Sequence, residues 1–154
     1  MKIIEGDILD CKESVLVQQV NHKGVMGAGL ALQIRKRYPG IFPLYIEYCK
    51  INYDVIKDRG LVFYHQPATS DYLIASVFGQ DGYGTDKQYT DYVALKNGFV
   101  NIAAAAKRTN VSVAIPYGIG CGLGGGDWSI VSKIIEEVFF GVEVVLYKLS
   151  DSKK

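Results

Sequence analysis

Pro116-Tyr117-Gly118-Ile119-Gly120-Cys121-Gly122-Leu123-Gly124-Gly125-Gly126-Asp127-Trp128 carries six glycines within the nine residues 118–126. Glycine loses more chain entropy on ordering than any other residue, and an ordinary turn needs only one or two. A run this rich marks a place where backbone comes close to something. Before it, Val111–Ile115 is a short apolar strand. After it, Asp127 is suited to cap a helix that carries Val131, Ile134, Ile135 and Val138 on one face. Strand, bare loop and helix start in succession present main-chain N–H groups that suit a diphosphate. The spacing fits neither the Walker loop, since no Lys-Ser/Thr follows, nor the dinucleotide fingerprint. A solvated surface loop is the plain alternative.

The same grammar occurs upstream. The strand Ser14–Val20 is followed by Asn21-His22-Lys23-Gly24-Val25-Met26-Gly27-Ala28-Gly29 and then by a helix over Ala28–Arg37, which Pro39-Gly40 ends. Further strands are predicted at Lys2–Glu5, Leu61–His65, Tyr72–Val77 and Val142–Tyr147. A second helix is predicted from Ile41 to Lys50. A long one follows from Tyr92, Leu95, Phe99, Ile102 and Ala106 at three- and four-residue steps. Strands that alternate with helices predict an α/β layered fold with a parallel or mixed sheet. In such sheets ligands bind beyond the carboxyl ends of the strands, which selects the residues after Val20 and after Ile115.

The bulk properties agree with one globular domain. The chain has 154 residues, 49% of them apolar, and a formal net charge of +1, so no global field draws it to nucleic acid or membrane. Cys11, Cys49 and Cys121 form neither a disulfide framework nor a metal-ligand spacing. Reduced thiols, no apolar span and no secretory leader make the cytoplasm the expected location. One domain over residues 1–149 is expected, with a polar tail at 150–154. The expected state is a monomer without membrane contact, metal or other cofactor.

Gly6-Asp7-Ile8 after the first strand, Asn21 with Gly24-Val25-Met26-Gly27-Ala28-Gly29, and Ile119-Gly120-Cys121-Gly122-Leu123 before Asp127-Trp128 together resemble the macrodomain family. Within it, the similarity is to the branch of terminal ADP-ribose protein glycohydrolase and phage-type ADP-ribose-1''-phosphate processing proteins. The resemblance implies a three-layer α/β/α macrodomain fold with a mixed central sheet, and ADP-ribose or an ADP-ribosylated protein or nucleic acid as partner. It implies that Asp7 and the Ile8 backbone receive adenine, with Tyr147 and Leu149 beside it. Pro116 and Gly118, Ile119, Gly120, Cys121, Gly122, Leu123 and Gly124 would wrap the diphosphate and distal ribose. Asn21 would contact that ribose, and Gly24, Val25, Met26, Gly27, Ala28 and Gly29 would cover it.

The branch also implies a lysine after the middle strand, which forms an adduct with the sugar, and an aspartate after the Gly-Cys-Gly-Leu run. Here Ser76 or Val77 and Gly124 correspond, and neither can perform those tasks. The expected activity is hydrolysis of an ADP-ribosyl conjugate or of ADP-ribose-1''-phosphate by a water that Asn21, His22 or Asp127 orients. A non-catalytic reader of ADP-ribose is the alternative, and another nucleotide-binding α/β protein is a third.

Each candidate has a plainer role. His22 is a surface loop residue, Asp127 a helix cap, Cys121 a small packed group rather than a nucleophile paired with His22 or His65. Lys23, Arg35, Lys36 and Arg37 form a solvated basic face. Phe78 to Lys87 is a loop beside the sugar or an ordinary connection, and Tyr83, Tyr89 and Tyr92 stack on a base or pack. Asp7→Ala is expected to weaken ligand binding with little loss of stability.

Overall fold

The computed structural model describes residues 1–56, 60–82 and 86–150. Tyr83, Gly84 and Thr85 and most of the polar tail, 151–154, lie outside the described residues. Among the described residues six strands form one sheet: β1 (Lys2–Glu5), β2 (Val15–Asn21), β3 (Val62–His65), β4 (Leu73–Gln80), β5 (Val113–Pro116) and β6 (Val144–Lys148). Their order is β1-β6-β5-β2-β4-β3, with every neighbouring pair parallel except the edge strand β3, which runs antiparallel to β4. The sheet is therefore mixed.

Helices cover both faces: α1 (Gly29–Arg37), α2 (Ile41–Ile51) and the short α3 (Tyr53–Ile56), then α4 (Tyr92–Thr109) and α5 (Trp128–Val138). Alternation along the central strands divides the core in two. Leu16 and Val20 of β2 and Ile74 and Phe78 of β4 pack with Ile34 of α1 and Ile41 and Tyr45 of α2. Val15, Val17, Ala75 and Val77 pack with Leu95, Phe99 and Ile102 of α4 and Val131 and Ile135 of α5. Because β2 and β4 are covered on both faces, they read as near-continuous apolar runs. This is the three-layer α/β/α arrangement.

Local chemistry sets the element ends. Asp91 accepts from the Val93 and Ala94 N–H groups to start α4, and Asn110, at φ 54°, closes it with its N–H on the Ala106 and Lys107 carbonyls. One boundary departs from expectation in a way that matters. β4 does not stop at Val77 but runs to Gln80, because Asn21 pairs with Gln80 after a register shift between Gln19 and Asn21. That bulge carries both strands farther toward the carboxyl edge. The α3 turn and a 3₁₀ turn at Ile8–Asp10 were not expected.

Candidate functional site

All five parallel strands end on one edge of the sheet, and there the two glycine-bearing junctions meet. A cleft of about 540 Å³ lies between them. One side is formed by Asn21, Val25, Gly27 and Ala28 with Gly29, Leu30 and Ala31 at the start of α1. The other is formed by Pro116 to Gly120 and by Gly122, Leu123 and Gly124; the floor holds Gln18, Gln19, Val20 and Gln80.

The glycine loop is folded by its own backbone. The Cys121 N–H donates to the Gly118 carbonyl (2.9 Å), Gly125 to Gly122 (3.0 Å) and Gly126 to Gly120 (2.8 Å). Among the described residues, the N–H groups of Gly118, Gly120, Gly122, Leu123 and Gly124 make no hydrogen bond within the protein. Unspent amides beside a cleft are costly unless water or a ligand accepts from them. Gly120, at φ +77°, also needs its missing Cβ, since one would lie 3.2 Å from Gln19 Oε1 and 3.3 Å from Thr90.

Across the cleft, α1 begins at Gly29, and its N-cap residue Ala28 has no side-chain acceptor for the first-turn N–H groups. Two sets of donors thus face one space, an arrangement that suits an anion.

Asn21 is 6% exposed and organises the first loop. Its Nδ2 donates to the Val25 carbonyl (2.8 Å), and its Oδ1 accepts from the Lys23 N–H (2.9 Å). The buried Tyr45 hydroxyl donates to the Asn21 carbonyl (2.6 Å), and burial pushes that phenol far above its ordinary pKa. Asn21 is the member of the expected catalytic trio that lines the cleft.

The other two lie outside the lining. His22 is not a surface residue: it is 2% exposed, its ring lies against Tyr53, and its Nε2 sits 3.5 Å from Asp81 Oδ1 without a hydrogen bond. Asp127 caps α5, where its Oδ1 accepts from the Ser129 N–H (2.8 Å) and hydroxyl (2.7 Å). Those bonds hold its carboxyl below the ordinary range, so it is a committed anion.

Several expected contacts also lie outside the lining. Asp7 sits at the end of β1, where Gly6 N–H meets the Lys148 carbonyl (2.9 Å), and its Oδ1 caps Leu9 (2.9 Å). It shares the carboxyl edge with the cleft, as do Ile8 and Leu149. Tyr147 is buried, with its hydroxyl on Glu13. Met26 is buried in the core and Gly24 turns the loop at φ +80°. Cys121 packs half-buried on its loop, and burial pushes its thiol up to about 11, which leaves it a poor nucleophile.

Sequence reasoning missed Gln18, Gln19 and Tyr117, and placed Gln80 only within a loop beside the sugar or an ordinary connection. The signal was two consecutive glutamines inside an apolar strand. Gln18 is 1% exposed, donates to Ser76 Oγ (2.9 Å), and keeps its Oε1 without a partner among the described residues; so does Gln19. Both oxygens are themselves buried, with virtually no surface open to the cleft. β4 runs past the strand end expected at Val77 to Gln80, which places that carboxamide in the cleft lining. No group of three or more His, Cys, Asp or Glu able to hold a metal occurs among the described residues. No described helix is long and apolar enough to cross a membrane.

No protein-family model matches the chain. Its sequence is 30% identical over 156 residues to the DNA ADP-ribosyl glycohydrolase of Mycobacterium tuberculosis, an alignment that covers 97% of this chain and 42% of that protein. Among solved structures, the macrodomain of Mycobacterium tuberculosis DarG superposes with a TM-score of 0.75 at 29% identity, covering 95% of both chains. The chain has the macrodomain fold. A Bacteroides thetaiotaomicron protein superposes at a TM-score of 0.84 with 25% identity, over 97% of this chain and 99% of its own. This macrodomain spans about two fifths of the length of the curated glycohydrolases it matches.

Proposed function

We propose that the cleft binds ADP-ribose and that this macrodomain hydrolyses ADP-ribosyl conjugates or ADP-ribose-1''-phosphate at the distal ribose. The observation that carries the reading is the convergence of unspent main-chain donors from two loops on one cleft of about 540 Å³ at the carboxyl edge of the sheet. The donors match a diphosphate. The relatives named as ADP-ribosyl glycohydrolases support the same chemistry.

In this reading Gly118 to Gly124 wrap the diphosphate, and Asn21 with Val25 to Gly29 enclose the distal ribose. Adenine extends along the sheet edge toward Asp7, Ile8 and Leu149. Asn21 acts chiefly by holding the first loop, since its carboxamide is already bonded to Lys23 and Val25. Among the described lining residues there is no lysine, so in this reading water rather than an amine attacks. Without a general acid beside the sugar, the site suits conjugates that leave as weak bases, such as a carboxylate or a phosphate. The conjugate is a protein or a nucleic acid, and the domain over 1–149 works in the cytoplasm as a monomer without membrane contact.

A reader that binds without turnover is the second reading, and one observation favours it: Tyr117 is the single titratable side chain among the described lining residues. Incubation with ADP-ribosylated DNA, ADP-ribosylated protein and ADP-ribose-1''-phosphate separates the two. Release of ADP-ribose from any of them is the expected result. Tight binding of ADP-ribose by calorimetry with no release from all three would leave only the reader.

A further inference from the structure

The glycines of the loop after β5 fall into two sets. An added Cβ at Gly118 or Gly122 meets nothing within 4 Å. At Gly120 it would lie 3.3 Å from Thr90 Oγ1, at Gly124 2.4 Å from the same oxygen, and at Gly125 3.1 Å from the Gln88 Cα. The segment Gln88-Tyr89-Thr90 stands outside the cleft lining. Close packing of this segment behind the loop, and not only approach of a ligand in front, therefore demands bare backbone there.

The segment is sewn to the end of β4. Thr90 bridges Gln80 in antiparallel fashion, the Asp81 N–H donates to the Tyr89 carbonyl (2.8 Å), and the Asp91 N–H donates to the Gly79 carbonyl (2.8 Å). From that anchorage it holds two carbonyls of the loop. The Tyr89 and Thr90 N–H groups both donate to the Gly124 carbonyl, at 2.8 and 3.0 Å. Thr90 is 4% exposed, and its hydroxyl donates to the Gly120 carbonyl (2.7 Å) while it accepts from Gln19 Nε2 (3.0 Å). A carbonyl can only accept, so the direction of the hydroxyl proton is settled.

These carbonyls bracket Gly122, Leu123 and Gly124, three consecutive residues whose N–H groups make no hydrogen bond among the described residues. Successive N–H groups form an anion seat only while the neighbouring carbonyls point elsewhere. Glycine peptides rotate at little steric cost. A carbonyl turned into the cleft would set a partial negative charge against a phosphate. The Thr90 hydroxyl opposes that rotation at Gly120, and the two N–H groups oppose it at Gly124.

On the diphosphate reading of the cleft, we infer that Thr90 is a positioning residue. It touches no ligand, and it sets the affinity for pyrophosphate-bearing ligands by keeping the Gly120 carbonyl turned away from them.

Inorganic pyrophosphate and ADP-ribose, titrated by calorimetry well below the melting temperature of each protein, test this role. Thr90→Val keeps the shape of the side chain and removes the donor. It is expected to bind both ligands about tenfold more weakly, the size of one lost hydrogen bond, and Thr90→Ser is expected to restore the affinity. In amide NMR spectra, pyrophosphate should shift the Gly122, Leu123 and Gly124 N–H signals of the native protein. A merely structural threonine would lower the melting temperature of Thr90→Val and leave the affinity of the folded protein unchanged, and that result overturns the inference. Should Thr90→Val not fold, Thr90→Ala, which sets no methyl against the Gly120 carbonyl, takes its place with the same two outcomes. Native protein that binds no pyrophosphate at the loop amides also overturns it. Native protein that binds pyrophosphate there but not ADP-ribose removes the ADP-ribose reading and leaves the role of Thr90 standing.

Discussion

Single atoms decide how the glycine loop can vary. At Gly122 an added Cβ meets nothing within 4 Å, whereas at Gly124 it would strike Thr90 and the Gly120 carbonyl. Gly122→Ala is expected to melt as the native protein does, while Gly124→Ala loses about 1–3 kcal/mol by overpacking and also binds ADP-ribose more weakly. Thermal melts with calorimetry check both, and a folded Gly122→Glu should have lost its diphosphate seat. Tyr45 acts from below: its hydroxyl bonds the Asn21 carbonyl at 2.6 Å inside the core. Tyr45→Phe leaves that bond unmade and is expected to cost about 1–3 kcal/mol in chemical denaturation, with weaker ligand binding as the first loop loosens. Asp7 caps the turn after β1 in addition to its proposed place beside adenine. Because its Oδ1 caps the Leu9 N–H, Asp7→Ala should lose about 1 kcal/mol of stability in addition to adenine affinity, rather than affinity alone.

At the level of elements, the strand–loop–helix unit from β5 to α5 was legible because each part carries its own chemistry: an apolar strand, bare backbone, an Asp cap and an amphipathic stripe. The cap also gives a pH prediction. The Ser129 bonds lower the folded-state pKa of Asp127 below its unfolded value. Its stabilising contribution is therefore complete above the unfolded pKa and is lost as pH falls through the folded one. Melting temperature is expected to drop on acidification below the ordinary carboxylate range, and Asp127→Asn should flatten that part of the profile. An identical acid profile in the variant would show that the cap charge does not contribute. The end of β4 was not legible in the same way. Phe78 and Gly79 looked like the start of a loop, because a glycine beside polar residues signals a turn locally. The ladder to β2 extends the strand through them, since the backbone bonds gained outweigh the local preference.

For the whole molecule, ligand binding and folding are linked. If the native cleft binds ADP-ribose and the unfolded chain does not, ligand at 100 times Kd adds about 2.7 kcal/mol. Melting temperature should rise with ADP-ribose concentration and respond less to ATP or NAD; a larger shift with either of those would point to another nucleotide. By itself the sequence determined the alternation of strands and helices, the two side-chain-poor junctions and the caps, because these depend on spacing and propensity within a few neighbouring residues. Only the tertiary structure decided that Gln18, Gln19 and Gln80 share the floor between those junctions, and that His22 and Asp127 stand apart from it. Residues 19, 80, 90 and 120 meet through strand pairing and crossover connections tens of residues long, and no local pattern encodes which strand ends become neighbours.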